Sequence, residues 1–226
     1  MSDLERAATY YSRWSRIYDF LARYTPGITR LRSQCIQRLN LQNGMTVIDM
    51  GAGPGPNFPH LRNAISPDGT VVGIDVSRGQ LERAKRLCNR NEWTEVAIIR
   101  GDASNPPVRD ADAIFGSFVI GMFENPATVV DRWCDIIGPG GRIGLLHFAT
   151  SRRWYGLFPN IALQLLVSVS TPDKSRGSQA LTRLLDERIR AAESHVSRRC
   201  LEVQTTTHWG GIVRLTTGIV AEQSED

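Results

Sequence analysis

The sequence predicts an α/β fold built on a doubly wound, seven-stranded, mostly parallel sheet. Three observations carry that expectation. Short β-branched runs alternate with helical stretches between residues 45 and 151. A glycine-rich turn, Gly51 to Gly55, directly follows the first of these runs. Near the end, two further runs flank Gly210-Gly211 and predict an antiparallel hairpin that closes the sheet.

The elements follow in order. Trp14, Ile17, Tyr18 and Leu21 recur at helical spacing, Pro26-Gly27 marks a turn, and a second helix is expected from Ile28 to Leu39. Asn43-Gly44 then punctuates the chain. Thr46 to Met50 is the first strand, followed by the glycine loop and a helix. Val71 to Asp75 is the second strand and Arg78 to Arg90 a helix. Val96 to Arg100 and Ala113 to Ser117 are the third and fourth strands. A helix from Pro126 to Ile137 leads through Gly138-Pro139-Gly140-Gly141 into a fifth strand that ends at Phe148. Residues 152–200 break the rhythm with a helical insertion, apolar from Trp154 to Val169 and arginine-rich later. Leu201 to Trp209 and Ile212 to Val220 form the hairpin.

Length and composition fit this plan. A chain of 226 residues holds one sizeable core and is short for two full domains. The expected organisation is therefore one domain over residues 1–226. It comprises a helical cap (1–44), a core (45–151), a helical insertion on the substrate side (152–200) and a closing hairpin (201–220). Apolar residues at 41% and charged residues at 22% exclude a disordered or collagen-like chain. Only Lys85 and Lys174 are lysines, so 25 of the 27 basic residues are arginine, either a codon bias or a choice of the forked guanidinium over ammonium. The net charge of +4 is uneven: +4 over residues 1–44, −2 over 45–151, +5 over 152–200 and −3 over 201–226. A uniformly basic nucleic-acid binder would not show that pattern. Cys35, Cys88, Cys134 and Cys200 are spaced for no zinc or redox motif. With no leader-like start, they are expected to be reduced thiols in a cytoplasmic protein, with no metal site. No apolar stretch reaches the roughly 20 residues of a spanning helix, which leaves peripheral membrane contact open.

The chemistry concentrates in Val47 to Asn57. Gly51, Gly53 and Gly55 let the backbone turn sharply and approach a ligand, and the loop opens a helix whose first N–H groups can meet it. The G-x-G-x-G spacing is not the G-x-G-x-x-G of dinucleotide-binding loops, and no Gly-Lys-Ser/Thr of a phosphate loop is present. Asp75 ends the second strand, where an acidic residue accepts hydrogen bonds from ribose hydroxyls. Gly101-Asp102-Ala103 ends the third and Ser117-Phe118 the fourth. All four ends face one crevice, so a nucleoside there meets glycine backbone, then Asp75 at its ribose and Asp102 near its base.

Taken together, residues 44–150 resemble the class I S-adenosylmethionine-dependent methyltransferases. Asp49-Met50-Gly51-Ala52-Gly53-Pro54-Gly55 looks like their acidic, glycine-rich first motif. Gly73-Ile74-Asp75-Val76-Ser77 matches the ribose-binding strand, and Gly101-Asp102-Ala103 the adenine side. Ile137 to Leu146 resembles their Pro-Gly-Gly turn and fifth strand. Tyr18-Asp19 and Trp209-Gly210-Gly211-Ile212-Val213 narrow the likeness to the ubiquinone/menaquinone-biosynthesis C-methyltransferases. Pro54 and Pro56 depart from the usual loop residues but leave the glycines in place.

The resemblance implies a Rossmann-like sheet and S-adenosyl-L-methionine as cofactor. It implies cofactor contacts from Tyr18, Asp49, Gly51, Gly53, Gly55, Asp75, Val76, Gln80, Asp102, Ala103 and Ser117. Asp49 either meets the ligand's amino group or holds the loop, and Ser117 either contacts the ligand or is simply packed. Tyr10, Tyr11 and Tyr18 either wall the cofactor or sit in the core. His147, at the end of the fifth strand where such enzymes often carry an acid, is the candidate general base, with a histidine satisfied by backbone as the alternative. His208 is a weaker candidate. Methyl transfer needs alignment and exclusion of water more than a dedicated dyad.

The expected function is methyl transfer to a small, apolar or amphipathic molecule, quinone-, lipid- or secondary-metabolite-like. The apolar face of Trp154, Leu157, Phe158, Ile161, Leu165 and Leu166 either roofs the pocket or packs on the sheet. Arginines such as Arg152 and Arg153 would rim it for an anionic substrate. The alternatives are an RNA-modifying methyltransferase, which would bind RNA with steep salt dependence, and a cofactor-binding protein of this fold without methyl transfer.

Overall fold

Helix α1 (Ile28–Arg38) leaves Gly27, whose φ of 86° is comfortable only for glycine, and buries Ile28, Leu31, Cys35 and Ile36 along one face. Arg32 is buried on that same face. The computed structural model describes residues 27–66, 68–151 and 178–222. The expected first helix, with Tyr10, Tyr11, Trp14, Tyr18 and Asp19, lies outside the described residues. So do the apolar stretch from Trp154 to Val169 and the arginines at 152 and 153.

Strands β1 (Thr46–Met50), β2 (Thr70–Asp75), β3 (Val96–Arg100), β4 (Ala113–Ser117), β5 (Arg142–Phe148), β6 (Cys200–His208) and β7 (Val213–Val220) form one sheet. Its order is β3-β2-β1-β4-β5-β7-β6. β1 pairs in parallel with β2 on one side and β4 on the other. The chain therefore departs from β1 in both directions, and a crevice opens beyond the carboxyl ends of β1 and β4. β7 lies antiparallel between β5 and β6. The seven strands, the parallel core and the antiparallel closing pair are as the sequence predicts.

Helices α2 (Phe58–Ile65), α3 (Arg78–Arg90) and α4 (Pro126–Ile137) are the crossovers expected between strands. Central β1 and β4 are buried on both faces, which is why they read as largely apolar runs, Asp49 apart: Val47, Ile48, Met50, Ile114 and Phe115 are fully covered. Trp133 of α4 is buried as well, and its indole N–H donates to the Ala103 carbonyl at 2.8 Å. That bond pins the loop after β3 to the helix behind it.

One detail differs from expectation. β6 and β7 are joined by a short 3-10 segment, Trp209–Gly211, followed by Ile212, rather than by a two-residue turn. The cause is local: Trp209, Gly210 and Gly211 all have positive φ, so the chain coils before β7 begins. The described part of the insertion is a single long helix, α5 (Ser178–Arg199), that buries Leu185, Ile189, Ala192 and Val196. Asp186 of α5 accepts hydrogen bonds from the Thr150 amide, at 2.8 Å, and from the Thr150 hydroxyl. Arg199 reaches back to Asp131 and Asp135 on α4. No helix among the described residues is long and apolar enough to cross a membrane.

Candidate active site

A cavity of about 400 Å³ opens at the carboxyl ends of β1, β2 and β4. Of the residues predicted for cofactor contact, Gly51, Gly53, Asp75, Val76, Gln80, Asp102, Ala103 and Ser117 line it. Asp49 and Gly55 are not among its lining residues. Tyr18 lies outside the described residues.

The glycine loop earns its composition. Gly51 has φ 68°, and a Cβ there would come within 2.7 Å of Val119 Cγ2. Gly55 has φ 83°, and a Cβ there would meet the Phe58 ring at 2.6 Å. Both the backbone angle and the space therefore exclude a side chain. Gly53 presents its N–H to Asp75 Oδ2 at 2.9 Å, while Ser77 N–H reaches Asp75 Oδ1 at 2.8 Å. Burial pushes the Asp75 carboxyl up, against these two amides, which favour the ionised form. The carboxylate thus ties the loop after β1 to the end of β2 and keeps acceptor capacity toward the cavity.

Asp49 is fully buried below the loop. Asn57 Nδ2 donates to both of its oxygens, at 2.9 and 3.1 Å, and lies 2.9 Å from Ser117 Oγ. Burial pushes the Asp49 carboxyl up to about 7, opposed by the Asn57 hydrogen bonds and the Arg32 charge. Of the two roles open to Asp49, holding the loop is the one its contacts describe. Asp102 turns inward on its own loop, accepting from Ser104 N–H at 2.8 Å.

Several site residues escape a sequence reading. Asn57 follows Pro56 and shows no signal beyond its place before a helix. Arg32 is 3% exposed yet lines the cavity, with its guanidinium 5.4 Å from the centroid of the Phe118 ring. An arginine on the apolar face of α1 was the available signal. Phe118 has φ 59° at the end of β4, a strained angle for an aromatic residue, and stacks on Phe148 at 4.6 Å between centroids. With Val119, Met122 and Phe123 it gives the cavity an apolar wall.

His147 is 1% exposed and is not among the residues lining this cavity. Its partner is a side chain, not backbone: Nε2 lies 3.0 Å from Glu193 Oε1. His208 is partly exposed beside Thr206, and burial with the Arg38 charge lowers its ring below the ordinary histidine range.

The cavity lining suits a nucleoside-bearing ligand. Gln80 is buried on the cavity wall, and its Oε1 has no hydrogen-bond partner among the described residues. A buried acceptor without a partner is costly unless a ligand supplies a donor. Together with the glycine loop and the Asp75 carboxylate it fits such a ligand.

Comparison with known proteins agrees. Residues 47–141 match the methyltransferase domain family. That stretch holds the glycine loop, Asp75 and Asp102. Among curated relatives, a demethylmenaquinone methyltransferase of a Geobacillus species is 24% identical over 145 residues, 63% of this chain and 60% of that protein. An aklanonic acid methyltransferase of a Streptomyces species is 28% identical over 102 residues, 44% of this chain and 46% of that protein. These matches thus span less than two thirds of either relative. A solved S-adenosylmethionine-dependent methyltransferase from Aquifex aeolicus has the same fold, with a TM-score of 0.59 at 17% identity, covering 92% of this chain and 98% of that one.

Proposed function

We propose that the protein transfers a methyl group from S-adenosylmethionine to a small, apolar or amphipathic molecule of quinone, lipid or secondary-metabolite type. The observation that carries this reading is the mixed lining of the cavity: the Asp75 carboxylate and glycine backbone together with Phe118, Val119, Met122 and Phe123. The relatives named above, which act on a demethylmenaquinone and on aklanonic acid, support the substrate class.

In this reading Asp75 accepts from the ribose hydroxyls, with Val76, Gln80, Asp102 and Ala103 beside the base. Gly51, Gly53 and Ser117 form the wall below, with Asp49 and Gly55 shaping the loop, and Tyr18 is the remaining proposed contact. When bound, the cofactor supplies a methyl group already activated on a sulfonium, so the chain's task is to align the acceptor and exclude water. His147 is the general base. The chain is one domain over residues 1–226, with 1–44 and 152–200 covering the substrate side and the hairpin closing the sheet. All four cysteines are buried and free, which suits a reducing compartment, so we place the protein in the cytoplasm.

Calorimetric titration with S-adenosylhomocysteine tests the cofactor site, with Asp75→Ala expected to weaken binding. Transfer of labelled methyl from the cofactor is then followed into a small-molecule extract and into total RNA. Label in the small-molecule fraction is the expected result, label in RNA alone overturns the substrate class, and failure of the folded protein to bind overturns the whole reading.

A further inference from the structure

His147, Glu193 and Arg214 bring three secondary-structure elements to one buried point. His147 is on β5, Glu193 on α5 and Arg214 on β7, directly across from His147 in the β5–β7 pairing. His147 Nε2 lies 3.0 Å from Glu193 Oε1, and Arg214 Nη1 donates to Glu193 Oε2 at 2.9 Å. Burial opposes the Glu193 charge, yet the His147 hydrogen bond and the Arg214 guanidinium hold its carboxyl below the usual range. Glu193 is therefore an ionised acceptor on both oxygens.

That arrangement decides the tautomer. An ionised carboxylate facing Nε2 requires Nε2 to carry the hydrogen, which leaves Nδ1 of the neutral ring as an acceptor. Nδ1 is buried and has no partner among the described residues. It belongs to a ring bordering a second, smaller cavity with apolar walls at Phe148, Leu185 and Ile189. Phe118 and Met122 line both cavities. The His147 ring thus borders a cavity that shares Phe118 and Met122 with the wall of the cofactor cavity.

We infer that Glu193 and Arg214 position His147 so that Nδ1 serves as general base toward an apolar acceptor whose reacting atom carries an ionisable hydrogen, a hydroxyl or an acidic C–H. This rests on the methyl-transfer reading and deepens it. As the new oxygen–carbon or carbon–carbon bond forms, the sulfur–carbon bond breaks and its electron pair stays on sulfur, which becomes a neutral thioether. The acceptor's proton passes to Nδ1, and the imidazolium that results is neutralised by Glu193. Its return to solvent resets the ring. An acceptor such as a thioether, with no hydrogen to lose, gains nothing from this arrangement. Glu193 and Arg214 act only through the ring and are positioning residues. Among the described residues, the charged groups around His147 are Glu193 on α5 and Arg214 on β7. Beyond the small cavity lies Arg188 on α5, bonded to the Gly121 carbonyl, and Arg32 on α1 lies over Phe118.

The test uses the full chain. Long-range ¹H–¹⁵N spectra of protein labelled at histidine read the tautomer directly. Nδ1 of His147 is expected at an acceptor-type shift and Nε2 at a protonated one. A neutral ring protonated on Nδ1 overturns the proposal. Calorimetry with S-adenosylhomocysteine stands apart: if wild type does not bind, the methyl-transfer reading fails whatever the tautomer. With a hydroxylated naphthoquinol and a hydroxyanthraquinone as probes, transfer by His147→Gln should fall by roughly 10²–10⁴-fold at unchanged S-adenosylhomocysteine affinity. Glu193→Gln should lower kcat rather than raise KM and shift the acid limb of the pH profile, with Glu193→Asp restoring part of it. Transfer with an unshifted pH profile in Glu193→Gln overturns the proposal, because a structural lock alone would leave that limb in place.

Discussion

Asn57 Nδ2 hydrogen-bonds both carboxylate oxygens of Asp49, at 2.9 and 3.1 Å. One amide group therefore satisfies a carboxyl that no water reaches, and ties the residue before α2 to the middle of β1. Asn57→Ala strips a buried acceptor of its donors, at a cost of about 1–3 kcal/mol. Urea unfolding should show this loss at unchanged m-value, and S-adenosylhomocysteine affinity should fall as the glycine loop loses its anchor.

The same carboxyl makes stability depend on pH. Its folded value of about 7 lies above its ordinary 3.8, so folding favours the protonated form. That contribution is complete below about pH 4, declines through the interval up to about 7, and is lost above it. Asp49→Asn keeps an uncharged group in place at every pH. The variant should lose this part of the pH dependence, and its stability relative to wild type should rise by a few kcal/mol, in order of magnitude, between pH 4 and pH 8. Thermal denaturation across that range checks it. A parallel pair of curves would overturn the raised Asp49 value.

Gly51 and Val119 should be coupled. Gly51→Ala places a Cβ against Val119 Cγ2 and demands an unfavourable φ, which together cost about 1–3 kcal/mol. Adding Val119→Ala removes the clash but not the backbone strain. The double variant should therefore recover part of the loss beyond what the single changes predict, readable in a double-mutant cycle of unfolding free energies.

The four thiols should be silent in the native state. Cys35, Cys88, Cys134 and Cys200 are all buried, and burial pushes the Cys35 thiol up to about 12. The thiolate is the reactive form. Ellman's reagent should find almost no thiol in the folded protein and four after denaturation, at a rate set by unfolding rather than by reagent concentration.

Much of the fold could be read from the chain because its signals are local. Thr46 to Met50, Ala113 to Ser117 and the Gly138–Gly141 turn each announce themselves within a few residues, and glycines at 51 and 55 are forced by backbone angle. Asp75 was legible because a strand ends there. What escaped depends on distance in the sequence. Glu193 meets His147 only because α5 packs against the sheet beside β7. Phe118 takes a positive φ without any glycine to advertise it. Arg32 looks like an ordinary helix residue until α1 is laid on the sheet. Asp49 was readable as important, but only its burial separates a ligand contact from a support under the loop.

The placement of β7 between β5 and β6 sets a timetable for the nascent chain. The strands β3, β2, β1, β4 and β5 are complete once residue 148 has emerged, but β5 then carries a bare antiparallel edge. Its partner, residues 213–220, arrives only after α5 and β6 have been made. β6 gains its place in the sheet solely through β7. During synthesis the half-built sheet offers an open strand to any neighbour on the same polysome, a hazard that edge strands carry in general. Shielding β5 during that interval is a task for α5 or for a chaperone, and slow translation after residue 148 would lengthen the exposure.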